Sequence, residues 1–214
     1  IQQLNPGGFT DVESIAIAAF NNDVFLVYND DRNVSYREDL FLRTSNDHGL
    51  TFGSDVQVNL DGDAIQPKIV TEDGVIAIAY QADYTATNPT AEDWLYVSFS
   101  HDNGLSFGSH WEVTSGGDVD NHTVAWSGIP LLNIAWEDDR TGTDEIYLET
   151  SDSFGASSTE FPYGEGGYPV LGGGRDYMAM TWTGDGYPHT AYIALTREGG
   201  LTQWSSALDL SRGD

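Results

Sequence analysis

"SNDHGLTFGS" fills positions 45–54, and "SHDNGLSFGS" fills positions 100–109. The two decapeptides start 55 residues apart and keep Ser, Asp, Gly and Phe at the same offsets. A core strand has no use for that pattern, but a turn does. Asp and Ser accept backbone N–H bonds within their own turn, and Gly permits positive φ. One turn is built the same way twice.

Sliding the chain by the same 55 places lays "GSDVQVNLDGDAIQPKIV" (53–70) over "GSHWEVTSGGDVDNHTVA" (108–125). Two fainter copies follow. "TSDSFGAS" (150–157) reads with one residue inserted before Gly155, and "TREGGLTQW" (196–204) has Glu198 in the Asp place. Upstream of each turn stands a second recurring string: "VYNDDR" (27–32), "AYQADY" (79–84), "AWEDDR" (135–140) and "TWTGDG" (181–186). It brings Asp31, Asp83, Asp139 and Asp185 into register. Between the strings, "DLFLRTS", "DWLYVSFS", "DEIYLETS" and "TAYIALT" alternate with the period of a half-buried strand.

Each repeat of about 50 residues therefore reads as four strands joined by Gly, Asn and Asp turns. The expected fold is all-β, a single β-propeller domain over 1–214 with repeats near 11–62, 63–117, 118–164 and 165–214. The blades are four-stranded and antiparallel. "IQQLN" at the start and "ALDL" at 207–210 both resemble outermost strands, so either a four-bladed ring or a section of a larger propeller fits.

Ser-x-Asp-x-Gly-x-Thr-Phe resembles the Asp-box, the bacterial neuraminidase repeat. Ser45, Asp47, Gly49, Thr51 and Phe52 match it, as do Ser100, Asp102, Gly104 and Phe107, with Ser106 for Thr. "AWEDDRTGTDEIYLETSDS" (135–153) is similar to the strand pair that precedes such boxes in sialidase-like propellers. The resemblance spans nearly the whole chain. It implies a structural role for the boxes, with function on the opposite loop face. A sialidase would imply three substrate-gripping arginines and a Tyr–Glu pair. None of Arg32, Arg37, Arg43, Arg140, Arg175, Arg197 and Arg212 sits in an Arg-Ile-Pro context, and Arg32 and Arg140 are repeat-equivalent, which marks them as structural.

Charge narrows the partners. Thirty-four acids face eight bases, one of them a lysine, for a net charge of −26. Such a chain repels nucleic acid and anionic membranes and attracts cations; acidity of this kind also suits a salty habitat. With no cysteine, disulfides and thiolate metal sites are excluded. No apolar run approaches the ~20 residues of a membrane span. The chain begins at Ile1 and reads as a mature product, expected outside the cell or on its surface.

Candidate site residues follow from the repeat. Asp11, Asp63, Asp118 and Glu165 recur at the start of each inner strand, followed by Ser14, Gln66, Asn121 and Tyr168. Hard oxygen donors suit Ca²⁺, so the acidic row is a candidate metal site at the channel mouth. The longest loop insertion, "DYTATNPTAED" (83–93), offers Tyr84 and Asn88, with Trp94 just after it, as a ligand-binding surface. His122 starts an inner strand and is the histidine best placed to meet a ligand. Tyr28, Tyr80, Trp136 and Trp182 recur at one place and read as core between blades. No Gly-x-Ser-x-Gly or His-Glu-x-x-His appears. The expected function is a non-catalytic, lectin-like module that binds carbohydrate or glycoprotein, with a second copy of the chain as a further candidate partner. The alternatives are a glycoside hydrolase of sialidase-like fold and a structural or adhesion surface protein.

Overall fold

The computed structural model describes residues 12–34, 37–60, 62–83, 91–108, 110–156, 158–175, 177–184, 190–197 and 204–210. Among them stand sixteen strands and no helix, in four antiparallel sheets of four, each in chain order. The first sheet joins β1 (Ile15–Phe20), β2 (Asp23–Val34), β3 (Arg37–Ser45) and β4 (Val56–Gln57). The second joins β5 (Asp63–Glu72), β6 (Val75–Asp83), β7 (Trp94–Ser100) and β8 (Trp111–Glu112). The third joins β9 (Val119–Trp126), β10 (Leu132–Asp138), β11 (Glu145–Ser151) and β12 (Ser158–Glu165). The fourth joins β13 (Gly167–Gly173), β14 (Tyr177–Gly184), β15 (Thr190–Arg197) and β16 (Leu208–Asp209).

The chain divides into two compact units, Ile1–Val113 and Thr114–Asp214, with two sheets in each. In the first unit Phe25, Val27, Leu40 and Leu42 of one sheet meet Ile76, Ile78, Tyr80 and Tyr96 of the next. In the second unit Ala135, Ile146 and Leu148 meet Met178, Met180, Trp182 and Ala194. Full burial of each large side chain stabilises by roughly 2 kcal/mol, so these faces hold each pair of sheets together.

One aromatic pair repeats in all four sheets. Tyr28, Tyr80, Trp136 and Trp182, on the second strand of each sheet, are buried. Each lies against a third-strand ring: Tyr28 on Phe41 at 6.2 Å, Tyr80 on Tyr96 at 5.9 Å, Trp136 on Tyr147 at 5.8 Å and Trp182 on Tyr192 at 5.4 Å.

Two sheets add an arginine to this pair. Arg32 lies 3.9 Å over the Phe41 ring, and Arg140 lies 4.2 Å over Tyr147. Their guanidinium groups grip Asp30 within β2 and Asp138 at the end of β10, whose side chains are wholly buried. Each arginine also reaches an acid of the outermost segment, Asp55 just before β4 at 2.6 Å and Glu160 within β12 at 3.2 Å. Burial opposes the Arg32 charge, but hydrogen bonds to Asp30, Asp55 and Tyr28 more than offset it and raise its pKa. The "DDR" strings thus work through their first aspartate. Asp139, the second, accepts the backbone N–H of Asp118 at 2.9 Å and caps a loop.

The repeated turn links the third and fourth strands of its sheet. Ser45 Oγ donates to Asp47 Oδ1 at 2.7 Å and accepts the Gly49 N–H at 2.9 Å. Asp47 also accepts the Thr51 N–H at 2.8 Å and the Thr51 hydroxyl at 2.6 Å. Ser100, Asp102, Gly104 and Ser106 repeat this network. These bonds hold the Asp47 and Asp102 carboxyls down at about 2, the Thr51 and Ser106 hydroxyls contributing most. Phe107 packs, partly buried, against the core of the first unit.

The third turn corrects the expected insertion. Gly155 N donates to Ser151 Oγ at 2.8 Å, the same four-residue step as Gly49 to Ser45, so nothing is inserted. Ser153 occupies the aspartate's place. Phe154 and Gly155 still adopt φ of 54° and 85°, matching His48 and Gly49 at 62° and 81°. The serine anchor and left-handed pair keep the turn shape without the carboxylate.

Glu149 stands in the third sheet where Arg43 stands in the first, since Leu26 faces Arg43 and Ile134 faces Glu149 across their ladders. It is buried, 6% exposed. Burial pushes its carboxyl up to about 7; the Ser158 hydrogen bond lowers it, the Glu160 charge raises it and Arg140 lowers it.

Two stability outcomes follow from these turns and this buried acid. Asp47→Ala lowers the melting temperature in a thermal scan, whereas Ser153→Asp, which restores the missing carboxylate, raises it. Glu149 has a raised folded pKa, so its contribution is full below the ordinary glutamate value near 4.5 and is lost as pH rises to about 7. The loss is on the order of 3 kcal/mol. Glu149→Gln therefore flattens the denaturant-midpoint profile between those pH values and leaves the variant more stable than the parent at pH 8.

Candidate functional site

The inner strands of both units break register opposite the buried aromatics, and polar groups gather there. In β9, Asn121 and His122 together face the single residue Trp136; in β13, Tyr168 and Pro169 face Trp182. In the first unit Gln66 and Pro67 of β5 face Tyr80 in the same way. Each is a β-bulge opposite the buried aromatic. Gln66, Asn121 and Tyr168 have φ of 51°, 43° and 57°. Left-handed conformations at non-glycine residues are uncommon, costly and concentrated at functional sites.

In the second unit the bulges build around Glu137. Its Oε2 accepts Asn121 Nδ2 at 2.9 Å and the Tyr168 N–H at 3.1 Å. Gly167 makes room for it: a Cβ there would come within 2.8 Å of that oxygen. Tyr168 is 67% exposed and meets this carboxylate through its backbone N–H. Directly across the ladder from Glu137 is Asp120. Opposed Cβ atoms in an antiparallel pair lie about 5 Å apart. Asp120 is exposed as a residue, but partial burial of its carboxyl raises its pKa, and the charges of Glu137, Asp118, Asp144 and Asp139 raise it further.

The residues expected from the sequence fall in both units. Asp63 belongs to the first unit, where it accepts the Glu38 N–H at 2.7 Å. It faces Asp83 across the ladder; burial raises the Asp83 pKa and the Asp63 charge adds to the rise. Asp118 and Glu165 belong to the second unit, Asp118 in the cluster around Asp120 and Glu165 at the end of β12. Asp11, Tyr84 and Asn88 lie outside the described residues. Among the described residues no three His, Asp or Glu side chains form a group able to hold a metal ion. Trp94 opens β7 and packs partly buried against the core. His122 is buried within β9. Of the residues noted at the channel mouth, Asn121 and Tyr168 join the Glu137 site.

Glu137, Asp120 and the buried Asp30 and Asp138 were not anticipated. One signal for Glu137 is present: Asn29, Gln81, Glu137 and Thr183 occupy one polar place in otherwise apolar second strands. For Asp30 and Asp138 the signal is the Asp-x-Arg spacing in "NDDR" and "EDDR".

No family model and no curated protein matches the chain. Solved structures do. A GH93 α-L-arabinofuranosidase of Fusarium graminearum, determined with arabinobiose, matches at TM-score 0.60 and 16% identity over 88% of this chain and 58% of its own. A thermostable family-43 glycoside hydrolase matches at TM-score 0.58 and 13% identity over 98% of this chain and 75% of its own. The xylan β-1,4-xylosidase of Bacillus halodurans C-125 matches at TM-score 0.55 and 14% identity over 94% of this chain and 42% of its own. The chain thus has the β-propeller fold of glycoside hydrolases over most of its length, and spans little more than half of the arabinofuranosidase. At these identities the likeness is one of fold.

The pairing of Asp120 with Glu137 has a direct electrostatic test. Glu137→Gln removes the largest charge acting on Asp120 and keeps a polar side chain in the cradle. The Asp120 pKa then falls, read from the pH titration of its side-chain carbonyl carbon by NMR, with the melting temperature little changed.

Proposed function

We propose that the chain acts on carbohydrate at the Glu137 site of its second unit, as a glycoside hydrolase of propeller fold. One observation carries the proposal: two carboxyls, Asp120 and Glu137, face each other across a ladder in unlike environments. Asp120 is an exposed residue whose carboxyl is biased toward its protonated form by partial burial and four like charges. Glu137 accepts two hydrogen bonds, which suit a carboxylate. Unlike environments for two carboxyls are what glycoside hydrolysis requires, one acting as general acid and the other as nucleophile or base. Tyr168 offers an exposed ring to stack on a sugar face. The solved structures of similar fold are glycoside hydrolases, one of them holding arabinobiose, which supports the same ligand class. The Ser-x-Asp-x-Gly turns support placing the chain among the Asp-box propellers of sialidase-like architecture.

In the proposed reaction Asp120 protonates the glycosidic oxygen as the bond to the anomeric carbon breaks. Glu137 either attacks that carbon or takes a proton from the water that does. A carboxyl separation of about 5 Å goes with attack and retention, and about 6.5–9.5 Å with a water and inversion. Asn121 and the Tyr168 N–H hold Glu137 in place during either course.

The test is release of nitrophenol from aryl arabinofuranosides, xylosides and galactosides. The parent turns over at least one of them. Asp120→Asn and Glu137→Gln each lower kcat by about 10²–10⁴-fold. Tyr168→Ala raises KM more than it lowers kcat. Sugar binding that Tyr168→Ala weakens, with no turnover by the parent, would replace the hydrolase by a binding module.

A further inference from the structure

Sheets in this chain meet by one rule, seen once in each unit. Each sheet has a front face, which carries the second-strand aromatic, and a back face. In the first unit the back of the first sheet packs on the Tyr80 front of the second. In the second unit the back of the third sheet packs on the Trp182 front of the fourth.

The fourth sheet has its front covered and its back open. Along β14, Met178, Met180 and Trp182 are buried, while Tyr177 and Thr181 on the other side are exposed. Val170, Thr181, Ile193 and Leu208 form one row across the back, and Gly172, Ala179 and Leu195 form the next. Val170, Tyr177, Leu195 and Leu208 are each more than half exposed. A solvated sheet face is ordinarily polar. Here β13, β14 and β15 contain no acid at all, in a chain that has thirty-four. Contiguous exposed apolar surface of this kind marks an interaction site.

The first sheet presents the matching half. Ile17 faces Leu26, two residues before Tyr28, as Ile69 faces Ile78, two residues before Tyr80. Ile69 lies in the core against the first sheet and is 8% exposed, whereas Ile17 is 65% exposed. Ile15, opposite Tyr28, is exposed as well. The charges on this front face are paired, Arg32 with Asp30 and Asp55, and Arg43 with Asp55.

We propose that the back of the fourth sheet in one copy of the chain packs on the front of the first sheet in a second copy, joining copies head to tail. A second copy supplies the front face that the packing rule demands, with its charges already neutralised. The net charge of −26 on each copy opposes approach at long range, but the acid-free back face adds no repulsion at the contact. Salt screens the long-range part, so association strengthens as salt rises. Three strands of seven or eight residues cover roughly 25 by 15 Å. That is less than the ~800 Å² per partner of a standard interface, so the contact is weak and reversible. Each copy carries both halves, so growth does not stop at two. The inference does not rest on turnover at Asp120 and Glu137.

Sedimentation equilibrium of the whole chain, from about 10 µM to about 1 mM, tests it. The average mass rises above that of one chain with concentration, and rises further in about 2 M than in about 0.1 M NaCl. Leu195→Asp and Ile17→Asp, both at exposed positions, each weaken association at least about a hundredfold, as an unpaired carboxylate in an apolar contact does. An equal mixture of the two variants forms pairs and nothing larger. The Ile17→Asp copy keeps its fourth-sheet back, and the Leu195→Asp copy keeps its first-sheet front. Thermal scans check that both variants fold; should an aspartate lower the melting temperature, Leu195→Thr and Ile17→Thr take its place. The proposal is overturned by a single-chain mass across the whole range, or by association that weakens with salt. Association kept by either variant, or a mixture that does not pair, overturns it equally.

Discussion

A single steric demand organises the molecule: a large ring on the second strand of each sheet must pack against a ring of the third, flat in three sheets and tilted in the first. In the second, third and fourth sheets that ring faces two residues of the inner strand instead of one. The inner strand bulges, and its first bulge residue turns left-handed. The bulge releases a backbone N–H from the ladder and aims it sideways, at Ser14 Oγ from Gln66 and at Glu137 from Tyr168. Core packing thus places the polar groups of the candidate site. Exposure of Tyr168 is a consequence of the same geometry.

Acids in this chain divide by what surrounds them. Asp47 and Asp102 sit among hydroxyls and N–H donors and ionise readily, at about 2. Asp55 reaches about 2 as well: burial resists, and Arg43, Arg32 and Tyr28 overcome it. Asp83, Asp120 and Glu149 meet burial and like charge, and all three are held above the ordinary range. The first group builds turns and locks. The second contains the residue assigned to proton transfer.

Strand order, turn position and the buried aromatics were legible in the sequence because each repeats at fixed offsets, and period-2 alternation does not depend on distant contacts. The structural role of Arg32 and Arg140 was legible for the same reason. The site was only half visible. Asn121 and Tyr168 stood out by register. Glu137 and Asp120 did not, because their meeting depends on a bulge, and a bulge changes which side chains share a face without changing composition. The third turn misled for a related reason. Aligning on Asp152 demanded an insertion, while the backbone follows Ser151 and Gly155 and tolerates Ser153.

The arginine locks bear on how the chain responds to its ionic surroundings. Eight bases serve the whole chain, and Arg32, Arg43 and Arg140 are held in ion pairs at partly or wholly buried acids. Little positive charge remains to answer the surface carboxylates. Counterions screen exposed like charges over distances of about 10 Å at 0.1 M salt and reach buried pairs far less. Added salt therefore relieves surface repulsion while leaving the locks nearly untouched. The folded chain is built to gain from a concentrated electrolyte, and its weak condition is dilute buffer.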